Sequence, residues 1–170
     1  GSTLTQKILG THSDVFTLSE PWLMLHPLYA LKESGFSAEY EAKPARTGVE
    51  SFLEYISPEN EQDNNQIYFE SVASLYGDLY QKAIDASEKS IFLDKTPRYY
   101  NIIPELYSTF PQAQFIVLIR NPLAVLCSLI STWTRDRWFG LRRFKHDLMK
   151  APTLLLEGIE ILGKKAIVLH

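Results

Sequence analysis

A three-layer α/β fold, with a central parallel sheet flanked by helices, is predicted by three features of the sequence. Helical and strand periodicities alternate along the chain, which is the pattern of layered α/β architecture. Residues 114–119, Gln-Phe-Ile-Val-Leu-Ile, are apolar on both faces, as a parallel strand covered from both sides requires. The connections in the second half are short, so successive strands and helices wind as right-handed crossovers.

Residues 3–9 read as a short helix stopped at Gly10, and 15–18 as a short strand. Pro21 opens a helix rich in Trp22, Leu23, Leu25 and Leu28 that runs to about Gly35. The polar stretch from about 36 to 48, broken by Pro44 and Gly48, is a loop, and 49–56 a short helix. The longest helical pattern spans about 62–86 and puts Val72, Leu75, Tyr76, Leu79, Ala83 and Ile84 on one face. Then come a strand at 90–93, a helix at 99–110 and the strand at 114–119. Asn121 caps the next helix, and Pro122 occupies its first turn, where a missing N–H costs nothing. A helix at about 151–162 and a strand at 166–169 complete the order.

With 45% hydrophobic and 22% charged residues among 170, the chain is too apolar for disorder. No apolar run approaches the roughly 18 residues of a membrane span. Seventeen basic residues against 20 acidic give −3, which excludes nucleic-acid binding by overall charge. The balance is uneven: residues 135–150 carry +4 and the rest of the chain −7. Trp133, Trp138, Phe139 and Phe144 lie in or beside that basic segment, which reads as a solvated helix face or as a flap favouring an anionic or flat substrate. Cys127, the sole cysteine, lies among apolar neighbours in the sequence; this fits a reducing, cytoplasmic setting. His12, His26, His146 and His170 have no metal-ligand spacing, so no metal is expected. The opening Gly-Ser-Thr-Leu-Thr has no start methionine, although Gly-Ser is also what a cloning scar leaves, and residues 166–170 stop within a strand. A single domain over 1–170, cut at both ends, is therefore expected.

Ligands of parallel sheets bind beyond the carboxyl ends of the strands. There the strand at 90–93 delivers Asp94-Lys95-Thr96-Pro97-Arg98, and the strand at 114–119 delivers Arg120-Asn121-Pro122. Ser128 follows Asn121 by seven residues, which is about two turns and about 10 Å along the axis on nearly the same side. Asn121, Ala124, Ser128 and Ser131/Thr132 form a small or polar stripe, whereas Leu123, Leu126, Cys127 and Ile130 form the greasy face. A guanidinium above a hydroxyl suits a phosphate. Equally, Arg120 pairs with a carboxylate and Ser128 bonds its own preceding carbonyl. Gly1-Ser2-Thr3 before a helix turns backbone N–H groups toward an anion, or simply caps that helix. No Gly-Lys-Ser/Thr follows, so this is not the nucleotide-triphosphatase loop.

Taken in order, Gly-Ser-Thr-Leu before a helix, Ser-Glu-Pro at 19–21, Leu-Asp-Lys-Thr-Pro at 93–97 and the run from Pro111 to Ser128 with Arg-Asn-Pro inside it resemble the sulfotransferases that use 3′-phosphoadenosine-5′-phosphosulfate (PAPS). The resemblance covers nearly the whole chain, with 36–86 agreeing only in helical character, and it implies a P-loop-like sheet. It further implies that Gly1, Ser2 and Thr3 end the loop around the 5′-phosphosulfate, and that Arg120 and Ser128 hold the 3′-phosphate. Glu20 matches a catalytic base and Lys95 a lysine that steadies the bridging oxygen. PAPS is then the donor, 3′-phosphoadenosine-5′-phosphate (PAP) the product, and a small molecule, carbohydrate, lipid or carrier-bound group the acceptor, with no metal. Three parts of the family's pattern are missing: the first strand, the basic residue before the loop glycine, and the region beyond His170.

The roles make chemical sense. By analogy with phosphoryl transfer, the protein positions the reactants and neutralises charge on the leaving oxygen. Lys95 supplies a cation and Glu20 a proton acceptor, with His12 and His26 as alternative bases. Against these stand a helix-start charge at Glu20 and a surface ion pair at Asp94-Lys95. The rival functions are a P-loop kinase or nucleotide-binding protein, and a scaffold domain that binds nucleotide without chemistry.

Overall fold

The computed structural model describes residues 2–17, 24–29, 46, 49, 50, 53, 61–133 and 138–169. The chain divides into two compact units, Ser2–Pro111 and Gln112–His170. Each unit holds one pair of parallel strands.

In the first unit the order is α1 (Ser2–Leu9), β1 (Val15–Thr17), α2 (Leu25–Tyr29), α3 (Glu61–Ser87), β2 (Ile91–Leu93), a 3-10 turn at Tyr99–Asn101 and α4 (Ile103–Thr109). Strands β1 and β2 run parallel, with Val15, Phe16 and Thr17 opposite Ile91, Phe92 and Leu93. Met24, Leu25, Leu28 and Ile102 are fully buried. Tyr80 of α3 stacks on Phe92 with ring centroids 4.3 Å apart, and Phe16 packs against the same ring at 5.6 Å. Aromatic pairs of this kind add about 0.5–1.5 kcal/mol beyond the area they bury. The Tyr68 hydroxyl donates to the Pro27 carbonyl at 2.6 Å, tying α3 to α2.

Two expectations are corrected here. The inward row of α3 is Tyr68, Val72, Tyr76, Tyr80 and Ile84, whereas Leu75 and Leu79 are 58% and 44% exposed. Spacing by fours places that row on one line of the helix, and a tyrosine row can bury its rings while its hydroxyls find partners. The helix expected over 99–110 is divided at Ile102. Pro104 has no N–H to donate to the Tyr100 carbonyl, so the α-helix starts afresh around it. Of the helices expected between 21 and 56, Leu25–Tyr29 is described, and Arg46, Val49, Glu50 and Leu53 are helical; the rest, with the loop at 36–48, lies outside the described residues.

Helix α3 ends on a left-handed residue, Glu88 at φ 56°, with the Lys89 N–H reaching back to the Ile84 carbonyl at 3.3 Å. This is the six-to-one bond of a Schellman ending, whose left-handed position favours glycine. Replacing Glu88 with Gly is expected to raise stability by about 1 kcal/mol, read as a higher urea midpoint at unchanged slope.

The second unit runs β3 (Phe115–Leu118), α5 (Pro122–Trp133), a 3-10 stretch at Trp138–Phe144, α6 (Lys145–Met149), α7 (Ala151–Leu162), a 3-10 turn at Gly163–Lys165 and β4 (Ala166–Leu169). Strands β3 and β4 are parallel, from Phe115 opposite Ala166 to Leu118 opposite Leu169. Val117, Ala151, Gly158 and Leu162 are buried. Helix α7 stops at Gly163, whose φ of 51° and ψ of −120° are open in practice only to glycine. Among the described residues the strands are parallel, as expected, and pair within each unit: β1 with β2 and β3 with β4. No helix among the described residues is long and apolar enough to cross a membrane.

Candidate functional site

In the first unit Thr17 of β1 is paired with Leu93 of β2, and a part-buried relay fixes that pairing. Gln6, only 6% exposed, donates from Nε2 to Thr17 Oγ1 at 2.8 Å, and Thr17 Oγ1 donates to the Leu93 carbonyl at 2.8 Å. One side chain of α1 is therefore bonded to both strands through a single hydroxyl. The approach is close at Gly10, where a Cβ would stand 2.9 Å from Thr17 Cγ2. Ser2 and Thr3 form the first turn of α1, Ser2 half-buried and Thr3 exposed. The first N–H groups of a helix have no partner within it and carry its positive end. Gly1 and Glu20 lie outside the described residues.

Beyond β2 the chain turns through Asp94, Lys95 and the buried Thr96. Asp94 is no surface carboxylate. Its Oδ2 accepts the hydroxyls of Tyr80 at 2.8 Å and Tyr99 at 2.7 Å. Its Oδ1 faces the Thr96 hydroxyl at 3.4 Å. Burial raises the Asp94 carboxyl above its ordinary range, and the three hydroxyl bonds pull the other way. Tyr80 and Tyr99 are both pushed far above the usual phenol range, by burial first and by the neighbouring Asp94 charge second. The Tyr99 oxygen also accepts the Met24 N–H at 3.2 Å. Lys95, half-buried, follows directly on this anchored carboxylate.

The sign of the pH dependence follows. A phenol with a raised folded pKa keeps its proton in the native state where the unfolded chain has lost it. The stability it contributes is complete below about pH 10 and is lost as pH climbs from there toward the folded value. Each phenol should cost up to about 1.4 kcal/mol per pH unit above pH 10. With Tyr68 also raised by burial, Tyr80→Phe should remove about a third of the combined slope in urea titrations between pH 9 and 11. For Asp94 the raised value means that stability falls as pH rises above its unfolded value near 4.

In the second unit, Leu118 at the end of β3 is paired with Leu169 of β4. The Ile119 N–H bonds the Leu169 carbonyl at 2.8 Å, and Arg120 follows, exposed. Asn121 Oδ1 accepts the Leu123 N–H at 2.9 Å, so the expected cap with Pro122 in the first turn is present. Ser128 is half-buried on α5. Among the described residues Arg120 has no carboxylate partner. The one hydroxyl of α5 seen bonding back along the helix is that of Ser131, to the Ser128 carbonyl at 3.2 Å. Neither of the alternative uses of Arg120 and Ser128 is therefore found among the described residues.

The greasy face of α5 needs correction. Leu123 is 69% exposed and Cys127 is exposed, in a row with the exposed Ser131, whereas Leu126 and Ile130 are half-buried. The helix is apolar around most of its circumference, so composition alone does not select the buried line.

Lys95, Ser2 and Thr3 belong to the first unit, Arg120 and Ser128 to the second. His12 accepts the Asp14 N–H on Nδ1 at 3.1 Å in an exposed turn; the side chain of His26 lies outside the described residues. Of the basic segment, Trp138–Phe144 is 3-10 helix with Phe139 98% exposed, and the Arg143 guanidinium stands 4.7 Å from the Phe144 ring centroid. Arg135 and Arg137 lie outside the described residues. Sequence reading missed Tyr80, Tyr99, Gln6 and Thr17; the row of Tyr68, Val72, Tyr76 and Tyr80 at intervals of four was the available signal.

A sequence model described as the sulfotransferase family matches residues 1–159. The nodulation protein NoeE of Sinorhizobium fredii (strain NBRC 101917 / NGR234) is 34% identical over 134 residues, which make up 78% of this chain and 29% of that relative. The chain thus spans less than a third of the length of this relative. No solved structure matches it. With a family pattern running through nearly all of its length, ending past the Arg120 and Ser128 segment, the chain belongs to the sulfotransferase family.

Proposed function

We propose that the chain is part of one P-loop-like sulfotransferase domain, which transfers the sulfuryl group of PAPS to an acceptor hydroxyl or, failing that, an amine. The observation that carries this reading is the pairing of β1 with β2. Thr17, three residues before Glu20, is paired with Leu93, two residues before Lys95. Lys95 therefore leaves the strand end to which Thr17, close to Glu20 in sequence, is paired.

The donor set suits its proposed ligand. Arg120 offers a planar guanidinium without a carboxylate partner among the described residues, and Ser128 a hydroxyl on the following helix, a pair matched to a phosphate. The first turn of α1, with Ser2 and Thr3 after Gly1, offers N–H groups to an anion. When bound, PAPS supplies an activated sulfuryl group on a phosphate leaving group. Lys95 balances charge growing on that leaving oxygen, and Glu20 takes the acceptor's proton. We propose a cytoplasmic setting and an acceptor drawn from small molecules, carbohydrates, lipids or carrier-bound groups. Turnover of radiolabelled PAPS by the protein across such an acceptor panel tests the reading. Label transferred to an acceptor supports it; tight ATP binding with no use of PAPS favours the kinase alternative.

A further inference from the structure

We infer that Tyr99 is a positioning residue that ties the Asp94–Lys95 segment to the start of α2 and so fixes Lys95, an inference that rests on the function proposed above. Its hydroxyl is bonded to both. As a donor it holds Asp94 Oδ2 at 2.7 Å, and Asp94 is the residue before Lys95. As an acceptor it holds the Met24 N–H at 3.2 Å, and Met24 leads directly into α2.

Both attachments are rigid. Met24 is 1% exposed and leads into the fully buried Leu25. The same Asp94 Oδ2 also accepts the hydroxyl of Tyr80 at 2.8 Å, whose ring is stacked on Phe92 of β2. Tyr99 itself opens the 3-10 turn beside the buried Tyr100 and Asn101. A backbone carrying a transferring-group contact must be held to within about 0.5 Å. An aspartate side chain bonded to two fixed phenols can do this for the residue that follows it. Desolvation of Asp94 strengthens both bonds, because in a low-dielectric setting a carboxylate depends more heavily on its donors.

Tyr80 and Tyr99 divide the work. Tyr80 contacts only the Asp94 side of the network, whereas Tyr99 bridges Asp94 and Met24. Tyr99→Phe removes the bridge and keeps the ring; Tyr80→Phe removes one Asp94 donor and leaves the bridge.

The test measures two quantities on the wild-type protein and both variants, well below their melting temperatures: PAP affinity by calorimetry, and PAPS turnover with water as acceptor. Misplacing reacting groups by about 1 Å can cost up to 10²-fold in rate. Tyr99→Phe is therefore expected to lower kcat by about tenfold or more, with PAP affinity and the KM for PAPS unchanged within about twofold. Tyr80→Phe should give a smaller kcat loss of about threefold with the same constancy of binding. If Tyr99→Phe does not fold, Asp94→Asn, which weakens the Asp94 arm of the same bridge, is read by the same criteria. A variant that melts earlier but retains wild-type kcat shows a merely structural hydroxyl and overturns the inference. Parallel losses in kcat and PAP affinity overturn it too. A wild-type protein that neither binds PAP nor consumes PAPS instead overturns the sulfotransferase reading beneath it, and the inference with it.

Discussion

Lys95→Ala is expected to lower sulfuryl transfer by about 10²–10³-fold while leaving PAP affinity within about threefold of wild type. The expectation follows from where Lys95 stands. It is half-buried in the turn that leaves β2, directly after a carboxylate held by two phenols, so its backbone is fixed before any ligand arrives. A preorganised cation acts on charge that develops only during transfer, and removing one such group costs rate rather than ground-state binding. Lys95→Arg should recover little, because a guanidinium is planar and longer than an ammonium at the same site. Initial rates with labelled PAPS, set beside calorimetric PAP titrations, check the split. An equal loss in both would make Lys95 a binding residue. No loss in either would assign it to the surface.

The second large effect is the converse. Arg120→Ala should weaken PAP binding by about 10–100-fold, since hydrogen bonds to charged groups contribute about 1.5–3 kcal/mol each. Arg120 is exposed at the end of β3 and lacks a carboxylate partner among the described residues, so the substitution breaks no recorded ion pair. Its effect should appear in ligand affinity and not in thermal stability. Ser128→Ala removes a single donor and should cost about fivefold. Salt offers an independent check, because a phosphate contact made by an exposed guanidinium weakens as ionic strength rises.

Much of the fold was legible because it is written locally. Helix α7 spans Ala151–Leu162, the range its pattern predicts, with Pro152 in the first turn and Gly163 after the last. The cap at Asn121 and the start at Pro122 are likewise settled by residues that touch one another in sequence. What was not legible depends on partners distant in the chain. Asp94 reads as half of a surface ion pair until Tyr80, 14 residues earlier, and Tyr99, five later, are seen to donate to it. Leu75 and Leu79 looked like core because α3 carries apolar residues on more than one side, and the tyrosine row took the inner position instead. Leu123 and Cys127 failed for the same reason on α5. The Gln6–Thr17–Leu93 relay joins residues up to 87 positions apart, and no periodicity reveals such a bond. Glu20, with Gly1, lies outside the described residues, so its role rests on the Ser-Glu-Pro motif and on the strand end that precedes it.

The central claim is that Arg120 and Ser128 recognise the phosphate that distinguishes the activated sulfate carrier from ordinary adenylates. Calorimetry of the protein with PAP and with adenosine 5′-monophosphate, which differ only in the 3′-phosphate, measures that recognition directly. The account predicts that PAP binds at least about 30-fold more tightly, a difference of about 2 kcal/mol, and that Arg120→Ala removes most of the preference. Equal affinity for the two nucleotides, or a preference unaffected by Arg120→Ala, would contradict it.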